Sequence, residues 1–274
     1  MTEPVVLTET IELPSSGNKA IIVSLNRPSK KNCFNTDVSN ALAQIFNSIA
    51  NSTDDELAAV IFTGKGKSFC AGADLSNPPN PIVQSSDLHQ DVNPVYQMSR
   101  VKVPIIGALH GYVITGGFEL ALACDILVGD DTTVFRDTHC KFGLAPCWGL
   151  SQKLQRKIGP GRAKLISYSV KPVNAQTAFQ WGLIDELVQE SKEGASLKRA
   201  IEIADNIGKQ DLKMVRRYKR ALDEGGAMDL SKGLQREREL GIAHYLEVMS
   251  DGSTFESAKE FITDDKRPRL QSKL

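Results

Sequence analysis

The sequence predicts an α/β fold followed by a helical C-terminal region, and three observations support this. Short apolar runs alternate with helical patterns over roughly the first 160 residues, as in strands and helices packed in layers. Beyond that point strand patterns nearly vanish, apart from Leu183–Val188. The 274 residues are enough to bury a substantial core. We therefore expect an α/β core at 1–190 and a helical region at 191–270.

The N-terminal elements predict a hairpin and then a crossover. Strands are expected at 4–12 and 20–25, because a Pro-Ser-Ser-Gly-Asn turn separates two apolar runs. Apolar residues then recur at helical spacing from Val38 to Ile49, and a buried strand follows at 57–63. A strand, a helix and a strand in this order predict a right-handed parallel connection.

The middle of the chain predicts a surface excursion and further α/β elements. Residues 76–94 are rich in Pro, Asn, Ser and Asp, which is typical of an irregular segment. After it we expect a helix leading to Arg100, strands at 103–109 and 125–129, a short strand and turn within 134–144, and a helix within 146–158. The remaining helices are predicted at 161–169, 174–181, 194–208, 210–224, 229–249 and 254–263.

The composition argues against several classes of function. The 33 basic and 33 acidic residues balance, which disfavours a protein that binds nucleic acid or an anionic membrane surface. No apolar run approaches the roughly 20 residues that span a bilayer, so no membrane insertion is expected. The five cysteines are dispersed, without metal-ligand spacing. We predict free thiols in a reducing compartment and no metal site.

The most informative segment is Gly111–Asp125. It begins where an apolar strand ends and continues into a helical pattern with Glu119 in its first turn. Glycines allow close approach of a ligand to the backbone, and the free N–H groups of a helix start favour negative charge. Neither a phosphate loop nor a dinucleotide fingerprint fits the glycine spacing. Glu119 is therefore either an acid/base group or an acid that complements the helix dipole.

A second glycine-containing element, Ser68–Leu75, also follows a predicted strand. By itself it is equally typical of an ordinary turn. Ligands bind at the carboxyl ends of parallel strands, however, and N–H groups from two such loops can form an oxyanion hole. Together the two elements predict an anion-stabilising pocket with a carboxylate beside it.

Phe69–Asp74 and Gly111–Asp125 together resemble the signature of the enoyl-CoA hydratase/isomerase (crotonase) family. Leu25–Pro28, Asn32 and Ala178–Ile184 are similar to further family positions. The resemblance implies a crotonase-like spiral of ββα units with a helical C-terminal trimerisation region. It also implies a homotrimer or hexamer, and an acyl-CoA thioester substrate with no cofactor other than the coenzyme A that the substrate carries.

The resemblance also assigns roles to individual residues. The N–H groups of Ala73 and Gly116 would form the oxyanion hole, and Glu119 would help to activate water. His139 stands where the family's hydratases carry a second glutamate, and Asp137 is the nearest other acid. His139 is therefore either a proton-transfer partner of Glu119 or a packed pocket residue.

The remaining implied contacts divide between the acyl group and the CoA. Phe118 and Trp148 either line the acyl pocket or simply pack, and the basic residues are either CoA contacts or ordinary surface charges. Substrate contacts are expected at Asn32, Ala71, Gly72, Asp74, Leu75, Gly117, Phe118 and Trp148, and CoA contacts at Lys30, Lys31, Lys266 and Arg267.

The expected reaction is the reversible syn-addition of water to a trans-2-enoyl-CoA. An enoyl-CoA isomerase is the alternative enzyme, and an acyl-CoA- or RNA-binding relative without catalysis is the alternative from another class. The tripeptide Ser272-Lys273-Leu274 has the form of an address that the peroxisomal import receptor binds. It predicts a peroxisomal protein that acts in fatty-acid β-oxidation or a related shortening of acyl side chains.

Overall fold

The computed structural model describes residues 3–79, 87–190 and 192–251. The chain forms two compact units, of which the first ends at Arg216 and the second begins at Arg217. Within the described ranges the strands are β1 (Val6–Glu12), β2 (Lys19–Leu25), β3 (Leu57–Gly64), β4 (Ile105–Leu109), β5 (Tyr112–Ile114), β6 (Ile126–Asp130), β7 (Val134–Arg136), β8 (Val173–Asn174) and β9 (Glu186–Val188).

Ten helices accompany these strands in the described part of the chain. They are α1 (Thr36–Ala50), α2 (Pro94–Ser99), α3 (Gly116–Ala121), α4 (His139–Phe142), α5 (Leu150–Ile158), α6 (Pro160–Ser169), α7 (Ala175–Gln180), α8 (Ala195–Gly208), α9 (Leu212–Gly226) and α10 (Leu230–Asp251). The helix predicted at 254–263 lies outside the described residues.

The main sheet has six strands in the order β1-β2-β3-β4-β6-β9. Strands β1 and β2 pair antiparallel, which confirms the predicted hairpin. Every other pair in this sheet is parallel, including β2 and β3 on either side of α1. Strand β3 is buried along its whole length, because helices cover the faces of a parallel sheet.

A second sheet of three strands, in the order β5-β7-β8, was not predicted. Strands β5 and β7 pair parallel, and β7 and β8 pair antiparallel. Its strands have only two or three residues, too few for an alternating apolar pattern to show in the sequence. Their pairing depends on partners that are distant in the chain. This small sheet carries the segments on which the site is built.

Helix α8 belongs with the sheet of the first unit, although it lies beyond the predicted boundary at residue 190. Its buried face, which includes Ala200 and Ala204, packs with apolar residues of β3 and β4. In the second unit, α10 leaves large apolar side chains exposed in the single chain, among them Leu230, Leu246 and Met249. No helix in the described ranges is both long and apolar enough to cross a bilayer.

Candidate active site

The two glycine-containing loops lie side by side, as expected for segments that leave neighbouring parallel strands. Their main chains form a short ladder centred on Cys70. The Cys70 N–H donates to Tyr112 O at 2.9 Å, and the Ile114 N–H donates to Cys70 O at 3.0 Å. Below it, the Phe69 N–H donates to His110 O at 2.8 Å. These hydrogen bonds hold the two loops together. The site therefore combines two segments that lie some 40 residues apart in sequence.

Helix α3 starts against the first loop with almost no space between them. A Cβ atom on Gly117 would lie 2.4 Å from Cys70 O and 2.8 Å from Cys70 Cβ. A Cβ atom on Gly116 would lie 2.4 Å from Cζ of the Phe34 ring. Only glycine permits this approach, which places the free N–H groups of the helix start beside the other loop.

Phe34 contacts both segments that carry the predicted oxyanion-hole amides, by a backbone bridge to Ala73 and by its ring at Gly116. The bridge between Phe34 and Ala73 uses the Phe34 N–H, which donates to Gly72 O, and the Asp74 N–H, which donates to Phe34 O. The Ala73 N–H takes no part in this pairing. Gly116 is the first residue of α3, so its N–H has no partner within the helix. That these two amides form an oxyanion hole stays a prediction, and their N–H groups take no part in these pairings.

Thr115 precedes Gly116 and is held in a rare backbone conformation, with φ of 49°. Its N–H donates to Arg136 O at 2.9 Å, and its carbonyl accepts from the Glu119 N–H at 2.9 Å. Its hydroxyl oxygen accepts from the Thr138 N–H at 3.1 Å and bonds to the Thr138 hydroxyl. Such conformations persist where the surroundings over-determine them. The bonds couple the start of α3 to the segment that carries His139.

Glu119 is buried within the first turns of α3, at 4% exposure. Its Oε1 accepts from the N–H of Trp148 at 2.8 Å and of Leu150 at 3.3 Å. Burial raises the pKa of this carboxyl, although these two donors partly oppose the shift. The second oxygen, Oε2, faces the ring of His139. A carboxyl with a raised pKa and one uncommitted oxygen suits acid/base chemistry near neutral pH.

His139 begins the short helix α4 and is 6% exposed. Its Nδ1 lies 2.7 Å from Asp137 Oδ1, and its Nε2 lies 4.0 Å from Glu119 Oε2. Burial disfavours the charged ring, but the hydrogen bond and charge of Asp137, together with Glu119, outweigh this and raise the pKa of His139. Burial likewise acts to raise the pKa of Asp137, yet the bonds from His139 leave that pKa below its ordinary value.

An open cleft of about 610 Å³ is lined by Ala73, by Thr115 next to Gly116 and by Thr138 next to His139. Gly116, Glu119 and His139 themselves are not among its lining residues. Five of the predicted contacts, Ala71, Gly72, Ala73, Asp74 and Leu75, line it, and so do the predicted CoA contacts Lys30 and Lys31. Arg136 and Lys141 were not predicted, because their position depends on the second sheet. The other lining residues are Cys33, Tyr112, Ile114, Thr115, Val134, Thr138, Phe142, Leu144 and Pro172.

Four of the predicted substrate contacts, Asn32, Gly117, Phe118 and Trp148, are buried and do not line this cleft. Phe118 is fully buried and packs on Phe135, with ring centroids 4.9 Å apart. The Trp148 ring stacks on the Phe34 ring, with centroids 5.0 Å apart. The main-chain N–H of Trp148 donates to Glu119 Oε1. Gly117 is the point of contact with Cys70. Lys266 and Arg267, like the terminal tripeptide, lie outside the described residues.

Asp74 combines a position on the cleft with a structural bond. Hydrogen bonds from Ser76, and then from Arg27, lower the pKa of Asp74 to about 2. The Arg27 guanidinium lies 2.9 Å from Asp74 Oδ2, and it also donates to Cys33 O. This ion pair holds the loop that carries the Ala73 amide against the segment after β2.

The Asn32 side chain is buried and bonds to backbone on both sides of the loop after β3. Its Oδ1 accepts from the Arg27 N–H at 2.9 Å, and its Nδ2 donates to Lys65 O at 2.9 Å and Ser68 O at 2.7 Å. Asn32 has φ of 56°, which asparagine tolerates better than most residues. These bonds place its side chain in the framework of the loop.

Changing Asn32 to Asp tests this position. We expect the free energy of unfolding to fall by about 2–4 kcal/mol, because a buried carboxylate would face two carbonyl oxygens that have lost their donor. Chemical denaturation measures the loss. The exposed Asn51→Asp variant is the matched control and should change stability by no more than about 0.5 kcal/mol. A stable Asn32→Asp protein with impaired substrate affinity would instead indicate direct contact with substrate.

Within the described ranges, no cluster of three or more His, Cys, Asp or Glu residues is arranged to hold a metal ion. Cys33, Cys70, Cys140 and Cys147 are free thiols. The arrangement therefore offers two main-chain donors, a buried carboxylate and a histidine–aspartate pair next to an open cleft.

An α/β fold whose strand-end loops present N–H groups beside a buried carboxylate defines a class of enzyme that binds a carbonyl oxygen and moves a proton next to it. Comparison with known proteins gives the particular family. The chain belongs to the enoyl-CoA hydratase/isomerase family, whose model matches residues 16–262. This confirms the resemblance that the two glycine-containing motifs carry.

Individual relatives cover nearly the same length. The chain is 38% identical over 264 residues to a probable peroxisomal enoyl-CoA hydratase 1 of Arabidopsis thaliana, covering 96% of this chain and 97% of the relative. It is 31% identical to the short-chain-enoyl-CoA hydratase of Clostridium acetobutylicum, covering 81% and 84%. The crystal structure of an enoyl-CoA hydratase from Mycobacterium tuberculosis matches with a TM-score of 0.78 at 27% identity, covering 94% and 97%. These matches confirm the predicted crotonase-like fold.

Proposed function

We propose that this protein is an enoyl-CoA hydratase that adds water reversibly to a trans-2-enoyl-CoA. The observation that carries the proposal is the position of Glu119, a buried carboxylate in the first turn of the helix that begins at Gly116, with Oε2 4.0 Å from His139 Nε2. The family membership and the hydratases among the relatives support the same reaction.

The proposal gives a task to each group. A thioester oxygen bound by the N–H groups of Ala73 and Gly116 accumulates negative charge as the double bond is attacked, and preorganised donors stabilise that charge. Glu119 Oε2 accepts a proton from a water molecule as the oxygen of that water adds to C3. A proton must then reach C2 to give the 3-hydroxyacyl-CoA. The removal of one donor from such a hole typically costs about 10²–10³ in kcat.

An assay with two substrates tests the proposal. The purified full chain is incubated with crotonyl-CoA and, separately, with a 3-enoyl-CoA, and the absorbance of the conjugated thioester is followed. We expect the absorbance of crotonyl-CoA to fall as water adds. A rise from the 3-enoyl-CoA without that fall would assign the isomerase reaction. No change with either substrate would favour a binding protein.

The basic rim of the cleft supports recognition of the CoA moiety. Lys30, Lys31, Arg136 and Lys141 line it, and the Lys31 ammonium lies 4.8 Å from the centroid of the Tyr112 ring. The nucleotide end of CoA carries phosphate groups, which cations at the mouth of a cleft attract. The apolar lining residues suit the less polar remainder of an acyl thioester.

Changing Lys31 to Glu tests the orientation of the substrate. We expect the KM for crotonyl-CoA to rise about tenfold or more, because a charged hydrogen bond is lost, while kcat changes little. The KM for crotonyl-N-acetylcysteamine should stay the same, because this thioester lacks the nucleotide phosphates. Lys198→Glu, at an exposed position away from the cleft, is the control. Equal losses with both thioesters would place the nucleotide elsewhere.

Assembly and location are further parts of the proposal. We propose that the chain forms a homotrimer or hexamer, which is supported by the exposed apolar side chains of α10. We also propose a peroxisomal location, with recognition of Ser272, Lys273 and Leu274 by the import receptor. A similar Arabidopsis protein is named as peroxisomal. A role in β-oxidation accords with that location.

A further inference from the structure

The structure contains a carboxylate–imidazole–carboxylate chain whose far end, Asp137, has no assigned part in the reaction. Asp137 follows β7 directly and is 2% exposed. Its Oδ1 accepts from the His139 N–H at 3.0 Å and lies 2.7 Å from His139 Nδ1. The Ser167 side chain on α6 helps to lower the pKa of this carboxyl. A buried carboxylate bonded in this way holds its partner ring in one orientation.

The orientation leaves His139 Nε2 directed at the proposed reaction centre. Nε2 and Glu119 Oε2 are 4.0 Å apart, too far for a direct hydrogen bond. Two groups that each lie about 2.8 Å from one shared oxygen, at an angle of about 90°, are separated by about 4.0 Å. The separation therefore matches one reacting oxygen atom held by both the carboxylate and the ring.

We infer that Asp137 is a positioning residue that fixes the His139 ring with Nε2 toward Glu119 and keeps the ring protonated, so that His139 supplies the proton to C2. The inference rests on the proposed hydratase function. In the forward direction the water oxygen bonds to C3, a water proton passes to Glu119 and the Nε2 proton passes to C2. After the product leaves, a proton passes from Glu119 to His139 through a water molecule between them, which restores both groups.

The charges around the ring are consistent with this assignment. Among the described residues, Asp137 and Glu119 are the groups that act on the His139 charge, and both favour the imidazolium. The α6 residues Arg162 and Lys164, and Lys141 of α4 itself, are exposed. A protonated ring between two carboxylates leaves a single net negative charge, which is less costly to bury than two.

The pH profile of the reaction gives a readout that a purely structural role of Asp137 would leave unchanged. The active form needs an ionised Glu119 and a charged His139, so kcat/KM should follow a bell whose alkaline limb reports His139. In Asp137→Asn the ring loses a neighbouring negative charge and gives up its proton more readily. We expect that limb to move to lower pH and kcat to fall about tenfold to a hundredfold, with KM little changed.

Asp130→Asn is the matched control, because Asp130 is also 2% exposed and is the last residue of β6, whereas Asp137 directly follows β7. It bonds to Thr132 and Thr133 and lies outside the cleft. The alkaline limb should not move in this variant. If Asp137→Asn loses activity with an unmoved limb, while the wild-type chain hydrates crotonyl-CoA, the inference fails and the proposed function stands. An inert wild-type chain would remove the proposed function itself.

A double-mutant cycle and a spectroscopic measurement complete the test. If Asp137 acts through His139, Asp137→Asn should cost no more than about twofold in a His139→Ala background. Equal losses in both backgrounds would overturn the inference. The protonation of the His139 ring can be measured directly from nitrogen-15 NMR spectra of the wild-type protein, without an Asp137 variant. The signal that disappears in His139→Ala is the signal of His139. We expect both ring nitrogens of His139 to carry protons at pH 7, and a neutral ring there would contradict the assignment.

Discussion

Replacement of Glu119 by Gln is expected to lower kcat for hydration by about 10³-fold, within the range that a positioned acid/base group contributes. The amide keeps an oxygen for the N–H groups of Trp148 and Leu150, so the local fold has no reason to change. It cannot accept a proton from water. The KM for crotonyl-CoA should remain within a few fold, because the amides of Ala73 and Gly116 are untouched.

Stopped assays at several substrate concentrations separate kcat from KM, and thermal melting checks the fold. Glu186→Gln is the control, since Glu186 pairs with Arg199 in a partly exposed position at the far edge of the main sheet. It should retain activity within about twofold. Unchanged turnover in Glu119→Gln would remove Glu119 from the mechanism and the hydratase proposal with it.

Replacement of Gly117 by Ala is expected to damage stability and catalysis together. The new Cβ would lie 2.4 Å from Cys70 O, the atom that accepts the Ile114 N–H. Relief of that overlap must separate the two loops. Overpacking of this kind costs about 1–3 kcal/mol, or a fall in Tm of about 2–10 °C. A displaced Gly116 amide should lower kcat/KM about 10²-fold, since small misplacements cost that much.

The control for this variant is Gly161→Ala on α6. A Cβ there meets nothing within 4 Å, and the added methyl group restricts the unfolded chain, so Tm should stay level or rise slightly. Calorimetry and steady-state kinetics on both variants give the comparison. A Gly117→Ala protein with normal Tm and normal kcat/KM would show that the two loops tolerate separation, and that their contact does not set the geometry of the site.

Much of the fold was predictable because the signals are local. The hairpin of β1 and β2 follows from two apolar runs and a turn, and the parallel pairing of β2 with β3 follows from the intervening helix. The second sheet was not predictable. Its strands, such as β5 and β8, are too short to show periodicity, and they form because β7 lies between them.

The same distinction applies to the cleft. Lys30 and Lys31 could be proposed from their place after β2, but Arg136 and Lys141 reach the cleft only because β7 pairs with β5. Asn32 illustrates the converse. Its sequence position suggests a substrate contact, whereas its hydrogen bonds to Lys65 and Ser68 use the amide to hold the loop.

The sequence by itself determined the family, the two glycine-containing loops and the carboxylate of Glu119, because each depends on residue types at short, fixed spacing. It left His139 as either a partner or a packed residue. Only the tertiary structure decided how His139 is placed, with Asp137 on one side of the ring and Glu119 on the other. The physical reason is that ring orientation and charge depend on burial and on neighbours brought in by β7, α3 and α6, which no local spacing specifies.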